Sequence, residues 1–262
     1  MKMVSAAKLK KAQDAITAMR PYADKLTELL QNLSATLDAD SGSKFADQRE
    51  VKNVLIVAIT SNRGLCGAFN SNIIKQANYL ANSYAEKKVS VVAIGKKAND
   101  ALSKDYEILA NESTVFDDLT FDNVAQIADL LMEKFEDGSI DKIELVYNKF
   151  KNAATQIVTT EQFLPIVPSA EGANANQDYI FEPSKVEIVE TLIPKSLKTQ
   201  LFKAIRDSFA SEHGARMTAM HKATENATEL RDQLKLTYNK ARQAAITNEI
   251  LEIVGGAEAL NN

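Results

Sequence analysis

Small and apolar residues recur at alternating spacings of three and four along the start of the chain: Ser5, Leu9, Ala12, Ile16, Met19, Ala23, Leu26, Leu30, Leu33 and Leu37. A seam sustained over that length predicts one long helix that pairs with another helix. Pro21 falls inside it and is expected to kink the helix near Arg20, because its ring clashes with the preceding turn. Residues 38–50 read as a polar loop. The middle of the chain has a different pattern. KNVLIVAIT (52–60), VSVVAIG (89–95), IDKIELVYNKF (140–150) and ATQIVTTEQFLPI (154–166) are rich in branched and aromatic residues and predict strands. Residues 72–87 and 121–135 read as helices between them, and PSAEGANANQD (168–178) reads as a loop. Near-continuous apolar strands with helical connections predict an α/β layer with a largely parallel sheet. The three-four spacing then returns at Met220, Ala223, Ala227, Leu230, Leu234, Ala241 and Ala244, with polar Thr237 filling the one gap. Alanine at so many of these positions lets two helix backbones approach closely. This predicts a second long helix.

Two seams at opposite ends of one chain have a simple solution. The predicted fold class is α/β, with a long antiparallel coiled coil of the N- and C-terminal helices and an inserted Rossmann-like α/β domain. The expected divisions are an N-terminal helix at 1–45, the α/β domain at 51–183 and a C-terminal helix at 184–262. As continuous helices, Met1 to Leu37 would be about 55 Å long and Lys198 to Leu260 about 95 Å. The second helix should therefore outrun the first by several turns. Its far end still carries Ile246, Ile250, Leu251, Ile253 and Val254. An apolar helix tip of that kind calls for something outside the chain to enclose it.

Composition narrows the classes. The chain has 262 residues, 45% hydrophobic and 25% charged, enough to bury a core. A formal net charge of −4 gives no reason to expect nucleic-acid binding. Cys66 is the one cysteine, which excludes an internal disulfide framework and fits a reducing compartment. The longest purely apolar run, Val54 to Ile59, is far short of the ~20 residues that span a bilayer. MKMVSAAKLKKAQ lacks the continuous apolar core of a secretory signal. A soluble protein is expected, with any membrane association indirect.

The candidate chemistry is sparse. TSNRGLCGAFN (60–70) follows the first strand and precedes a helix, where nucleotide phosphates often bind. Gly64, Leu65, Cys66 and Gly67 could cradle a phosphate, but neither GxGxxG nor GxxxxGK[ST] is present. A structural strand-to-helix turn is the reading the spacing favours. Cys66 could be a nucleophile at a helix N-terminus or a small buried thiol. The two histidines, His213 and His221, are eight positions apart, which is poor metal-ligand spacing on a helix. No metal or cofactor is expected, and an enzyme reading has little to rest on. Lys2, Lys8, Lys10, Lys11 and Arg20 stand against Asp14 alone and make the first helix locally basic, either a solvated face or a contact for an acidic partner. Met1, Met3, Met217 and Met220 suit packing, or a soft sliding contact.

Taken together, four segments resemble the gamma subunit family of F-type ATP synthases, essentially end to end. They are MKMVSAAKL (1–9), SNRGLCGAFN (61–70), LIPKSLKTQLFKAIRDSFASEHGARMTAMHKATENA (192–227) and ITNEILEIVGGAEA (246–259). In the last, Ile246, Thr247, Glu249, Glu252, Gly256, Ala257 and Ala259 occupy the family signature's fixed positions. The resemblance implies a non-catalytic central shaft. It would turn within a ring of alpha and beta subunits, with its α/β foot seated beside the epsilon subunit on the membrane c-ring. It would couple proton flow to ATP synthesis, or hydrolysis to pumping, at the cytoplasmic face of a bacterial inner membrane. The resemblance also implies that Arg242, Gln243, Thr247 and Glu249 meet loops of the catalytic subunits, and that Met1 and Lys2 lie near an acidic loop of them. In it, 60–70 is a structural turn of the foot. The family's first helix normally begins several turns earlier, so an upstream in-frame start is expected; an N-terminal mass of native protein matching Met1 would contradict it. The competing readings are an α/β enzyme binding a nucleotide at Gly64–Gly67 with helical dimerisation arms, and a coiled-coil adaptor that self-associates through its seams.

Overall fold

A computed structural model describes residues 1–35, 44–84, 86–166 and 185–260. Helix α1 (Lys2–Ala35) opens the chain. The α/β part follows as β1 (Asn53–Ile59), α2 (Phe69–Ser83), β2 (Lys88–Ile94), α3 (Lys96–Leu102), β3 (Glu107–Asn111), α4 (Phe121–Glu136), β4 (Lys142–Phe150) and β5 (Gln156–Leu164). Helix α5 (Lys185–Leu260) runs on for 76 residues. The chain divides into two units, Met1–Thr218 and Ala219–Asn262.

The five strands form one sheet in the order β3-β2-β1-β4-β5. β1 pairs parallel with β2 and with β4, and β2 parallel with β3; β5 alone runs antiparallel, along β4. The apolar run of β1 exists because both faces of the sheet are covered. Successive side chains point to opposite faces. Leu55, Val57 and Ile59 therefore join a core with α4 and the early α5 residues Ile193, Leu197, Leu201, Ala204 and Ile205. Val54, Ile56 and Ala58 join a second core with Ile73, Ala77 and Ala81 of α2 and Ala98 and Leu102 of α3. The sequence reading lacks α3 and β3. β3 is a five-residue edge strand whose burial alternates, so no apolar run marks it. A one-turn 3-10 helix at Lys44–Ala46 sits inside the predicted polar loop, and the predicted loop at 168–178 lies outside the described residues.

In the first unit α1 lies antiparallel to α5. Arg20 meets Asp207 and Asp24 meets Lys203, so four positions up one helix are four positions down the other. Ser5, Leu9, Ala12, Ile16, Ala23 and Leu26, all on the predicted seam, are buried. Leu9, Ala12 and Ile16 share a cluster with Phe150 and Ala210, flanked by Phe209 and Met217. The α5 stretch that mates with α1 thus lies around Lys203–Met217, upstream of the predicted Met220–Ala244 seam, whose residues from Ala223 onward are exposed. Helix α1 also stays helical through Pro21. Pro21 and Thr17, whose carbonyl loses its bond, are both exposed, so water can replace the missing N–H.

Candidate partner-binding surfaces and the loop after the first strand

The loop 60–70 is fixed by its own side chains. Thr60 N–H donates to the Ile94 carbonyl (2.8 Å), and Thr60 Oγ1 accepts from Ala98 N–H at the start of α3 (2.8 Å). Ser61 N–H donates to Asn70 Oδ1 (2.9 Å), closing the loop onto the first turn of α2. Asn62 accepts from Lys96 N–H (2.9 Å) and donates to the Ser113 carbonyl (2.8 Å). Leu65 and Gly67 both take positive φ, 63° and 60°, which turns the chain into α2. Leu65 carries a Cβ penalty there that Gly67 does not.

The outward face of this loop presents carbonyl oxygens to α5. Arg216 Nη2 donates to the Arg63 carbonyl (3.0 Å) and the Gly64 carbonyl (3.3 Å), and its Nη1 pairs with Glu212 one turn back. An anion site needs converging N–H groups. Here a guanidinium occupies the place where converging acceptors meet. Cys66 is buried beneath the loop, with Sγ 3.8 Å from Ser61 Oγ and 3.2 Å from Asn70 Nδ2. Burial pushes its thiol pKa up, away from the thiolate a nucleophile needs.

Buried polar groups cluster where α5 crosses the sheet's end. Asp207 is fully buried and accepts from Arg20 (2.6 Å) and Phe150 N–H (3.3 Å). Burial pushes the Glu212 carboxyl up, against the pull of Arg216. His213 is pushed down to about 4, by burial first and then by the charges of Arg216 and Lys8. Its ring stands edge-on to Phe209 with centroids 4.5 Å apart, and neither ring nitrogen has a hydrogen-bond partner among the described residues. Gly214 lets the β4–β5 turn come close: a Cβ there would lie 3.1 Å from the Ala153 carbonyl oxygen. Sequence reading missed this cluster. The one local signal was Glu212 and Arg216 at i and i+4, a pair that is usually solvated.

The predicted partner residues are all exposed. Met1 is 71% exposed, with Lys2, Met3 and Val4 beside it, on the first unit. Arg242, Gln243, Thr247 and Glu249 are exposed on the second unit. Helical spacing puts Arg242 and Glu249 on one side of α5, with Gln243 and Thr247 on the adjoining side. Around them Ile246, Ile250, Leu251, Ile253 and Val254 are exposed by 48–71%. Among the described residues no group of three metal-ligating side chains could hold an ion, and no helix is long and apolar enough to cross a membrane.

Comparison with known proteins bears on these surfaces. A family model described as ATP synthase matches residues 1–260. The ATP synthase gamma chain of Flavobacterium psychrophilum is 75% identical over 261 residues, covering 99% of this chain and 91% of that one. That of Flavobacterium johnsoniae is 74% identical over 262 residues, covering 100% and 92%. Among solved structures, a central stalk/c-ring chain of the Tetrahymena thermophila mitochondrial ATP synthase shares the fold. It superposes with a TM-score of 0.62 at 24% identity, over 86% of this chain and 97% of that chain.

Proposed function

The chain belongs to the ATP synthase gamma-chain family, and from that premise we propose that it is a non-catalytic central-stalk rotor. It turns inside a ring of alpha and beta subunits and couples ion flow through the c-ring to ATP synthesis, or hydrolysis to pumping. In this reading 1–45 and 184–262 form the stalk, and 51–183 forms the foot against the epsilon subunit and the c-ring. Attachment to the membrane is peripheral and runs through the c-ring, at the cytoplasmic face of a bacterial inner membrane.

The observation that carries the reading is the second unit. From Ala219 to Ala259 nearly every residue of α5 is exposed, including Leu230, Leu234, Leu236, Ile246, Ile250, Leu251, Ile253 and Val254. A helix with apolar residues so distributed is stable in water only if a partner encloses it. A ring of subunits does this while leaving the helix free to turn. Arg242, Gln243, Thr247 and Glu249 then face loops of that ring, and the lysine-rich start of α1 with Met1 and Lys2 faces an acidic loop. Residues 64–67 act as a structural turn, consistent with the Arg63 and Gly64 carbonyls that its start offers to Arg216. Catalysis belongs to the ring.

The test is co-purification of this chain with alpha and beta subunits, followed by ATP hydrolysis with and without it. A stoichiometric complex whose hydrolysis requires the chain is the expected outcome. No complex, with soluble and folded components, would sink the rotor reading.

A further inference from the structure

If the rotor reading holds, torque must pass between the sheet and α5 without the helix rolling in its seat. The contacts that seat α5 can be sorted by their angle around its axis, at about 100° per residue. Asp207, Ser211, Gly214 and Thr218 fall within roughly 60° of one another and form one stripe. This stripe faces β4 and the turn after it. Asp207 accepts from Phe150 N–H, Ser211 Oγ donates to the Asn148 carbonyl (2.9 Å), and Thr218 Oγ1 donates to the Ala153 carbonyl (3.2 Å). Glu212 and Arg216 lie about 150° around from it, nearly on the opposite side. There the directional hold comes from the fork of Arg216 on the carbonyls of Arg63 and Gly64. Ala210 and Met217 meet α1 on a third side.

The abutment on the Arg216 side is stiff, because the loop is itself bonded to α2, α3 and the residues after β3. The fork is buried, with 10% exposure for the side chains of both Arg216 and Glu212. Charge-assisted bonds to fixed carbonyls resist displacement in a defined direction, which apolar packing does not.

We propose that Arg216, oriented by Glu212, is the latch that stops α5 from rolling against the sheet and so sets the torsional stiffness of the rotor. Without it, the Asp207–Thr218 stretch of α5 is bonded to the sheet through the one stripe alone, while Arg206 on the Leu119 carbonyl (2.9 Å) and Lys198 on Asp129 still hold the helix upstream. The helix still packs, but it turns more easily under load.

The test uses the assembled alpha–beta complex containing this chain, with the ring fixed to a surface and a bead on Ser103→Cys in the exposed turn after α3. Arg216→Met is compared with wild type and with Leu65→Asn, a change in the same loop that leaves the fork intact and suits a positive φ. The expected result is unchanged unloaded hydrolysis, with the variance of the bead's angle at rest rising by up to about twofold as the Arg216 side is released and the upstream contacts of Arg206 and Lys198 remain. Leu65→Asn should match wild type. A residue that only stabilised the fold would lower the melting temperature without widening the angular distribution. Should Arg216→Met fail to assemble, Arg216→Lys carries the same test, since it keeps the charge beside Glu212 but not the fork. Wild-type variance in whichever variant assembles overturns the latch. A wild-type complex that hydrolyses ATP without turning the bead overturns the rotor reading instead.

Discussion

Asp207 and Arg20 join α1 to α5, and the two residues are buried to very different depths. The Asp207 side chain is fully buried, whereas that of Arg20 is 33% exposed. Removing either partner therefore has unequal consequences. Arg20→Met strands a carboxylate that has no access to water and keeps only a long bond from Phe150 N–H (3.3 Å). Breaking a buried pair in this way costs about 3–5 kcal/mol, and the partial exposure of Arg20 puts the expected loss near the lower end. Asp207→Asn keeps the acceptor for Phe150 and leaves behind a guanidinium that already reaches water and the Phe150 carbonyl (2.7 Å). Its expected cost is about 1–2 kcal/mol. The measurement is urea unfolding of the purified chain, followed by near-ultraviolet circular dichroism of tyrosine, because the chain has no tryptophan. A loss of about 3 kcal/mol moves the midpoint by about 1 M or more at a slope of ~2–3 kcal/mol/M. The order of the two variants is the decisive result. If Asp207→Asn destabilises as much as Arg20→Met, the carboxylate is not the group whose burial has to be compensated, and the reasoning fails.

Four further outcomes follow from other parts of the fold. The pKa of His213 lies near 4 in the fold against an ordinary 6.5, so on acidification the unfolded chain takes up the proton first. Its contribution to stability is complete above pH 6.5 and is lost as pH falls towards 4, at no more than about 1.4 kcal/mol per pH unit; His213→Leu should flatten the stability–pH curve of wild type over that window. Gly95 has φ +105°, and a Cβ there would sit 2.3 Å from the Thr60 carbonyl oxygen. Gly95→Ala should cost about 3 kcal/mol or more, read as a lowered melting temperature. Ile16→Ala should cost about 2–5 kcal/mol in the isolated chain, because Ile16 is fully buried between α1 and α5. Ile250→Ala, at an exposed position, should shift the isolated chain by less than about 0.5 kcal/mol and show its effect only as weaker retention by the alpha–beta ring.

How legible each part was depended on how local its cause is. The N-terminal seam could be read residue by residue, since Leu9, Ala12, Ile16, Ala23 and Leu26 are spaced by the helix itself and all are buried. The central strands were legible because covering both faces leaves a continuous apolar run. β3, an edge strand of alternating burial, has no such run. The mating stretch of α5 escaped for the opposite reason. Its buried positions include Asp207, Ser208, Ser211, Glu212 and His213, polar residues that break the apolar period, so pattern reading placed the seam downstream in Met220–Ala244. The fork at Arg216 was illegible because its acceptors are backbone carbonyls more than a hundred residues earlier in the chain. Composition at Arg63 and Gly64 carries no trace of what their oxygens will meet.

The pairing of the first helix with the last also sets a timetable for biosynthesis. Arg20 and Asp207 are 187 positions apart. At about 5–20 residues per second, α1 leaves the ribosome roughly 10–40 s before the segment that will cover it. Throughout that interval the stripe of Leu9, Ile16 and Leu26 has no intramolecular shelter, while the sheet can already form behind it. The nascent chain therefore depends on its own lysines, or on a chaperone, to stay off its neighbours on the polysome. Slowed elongation anywhere between β1 and α5 prolongs that exposure, and should be felt as lost yield of soluble chain with no change in the stability of the molecules that fold.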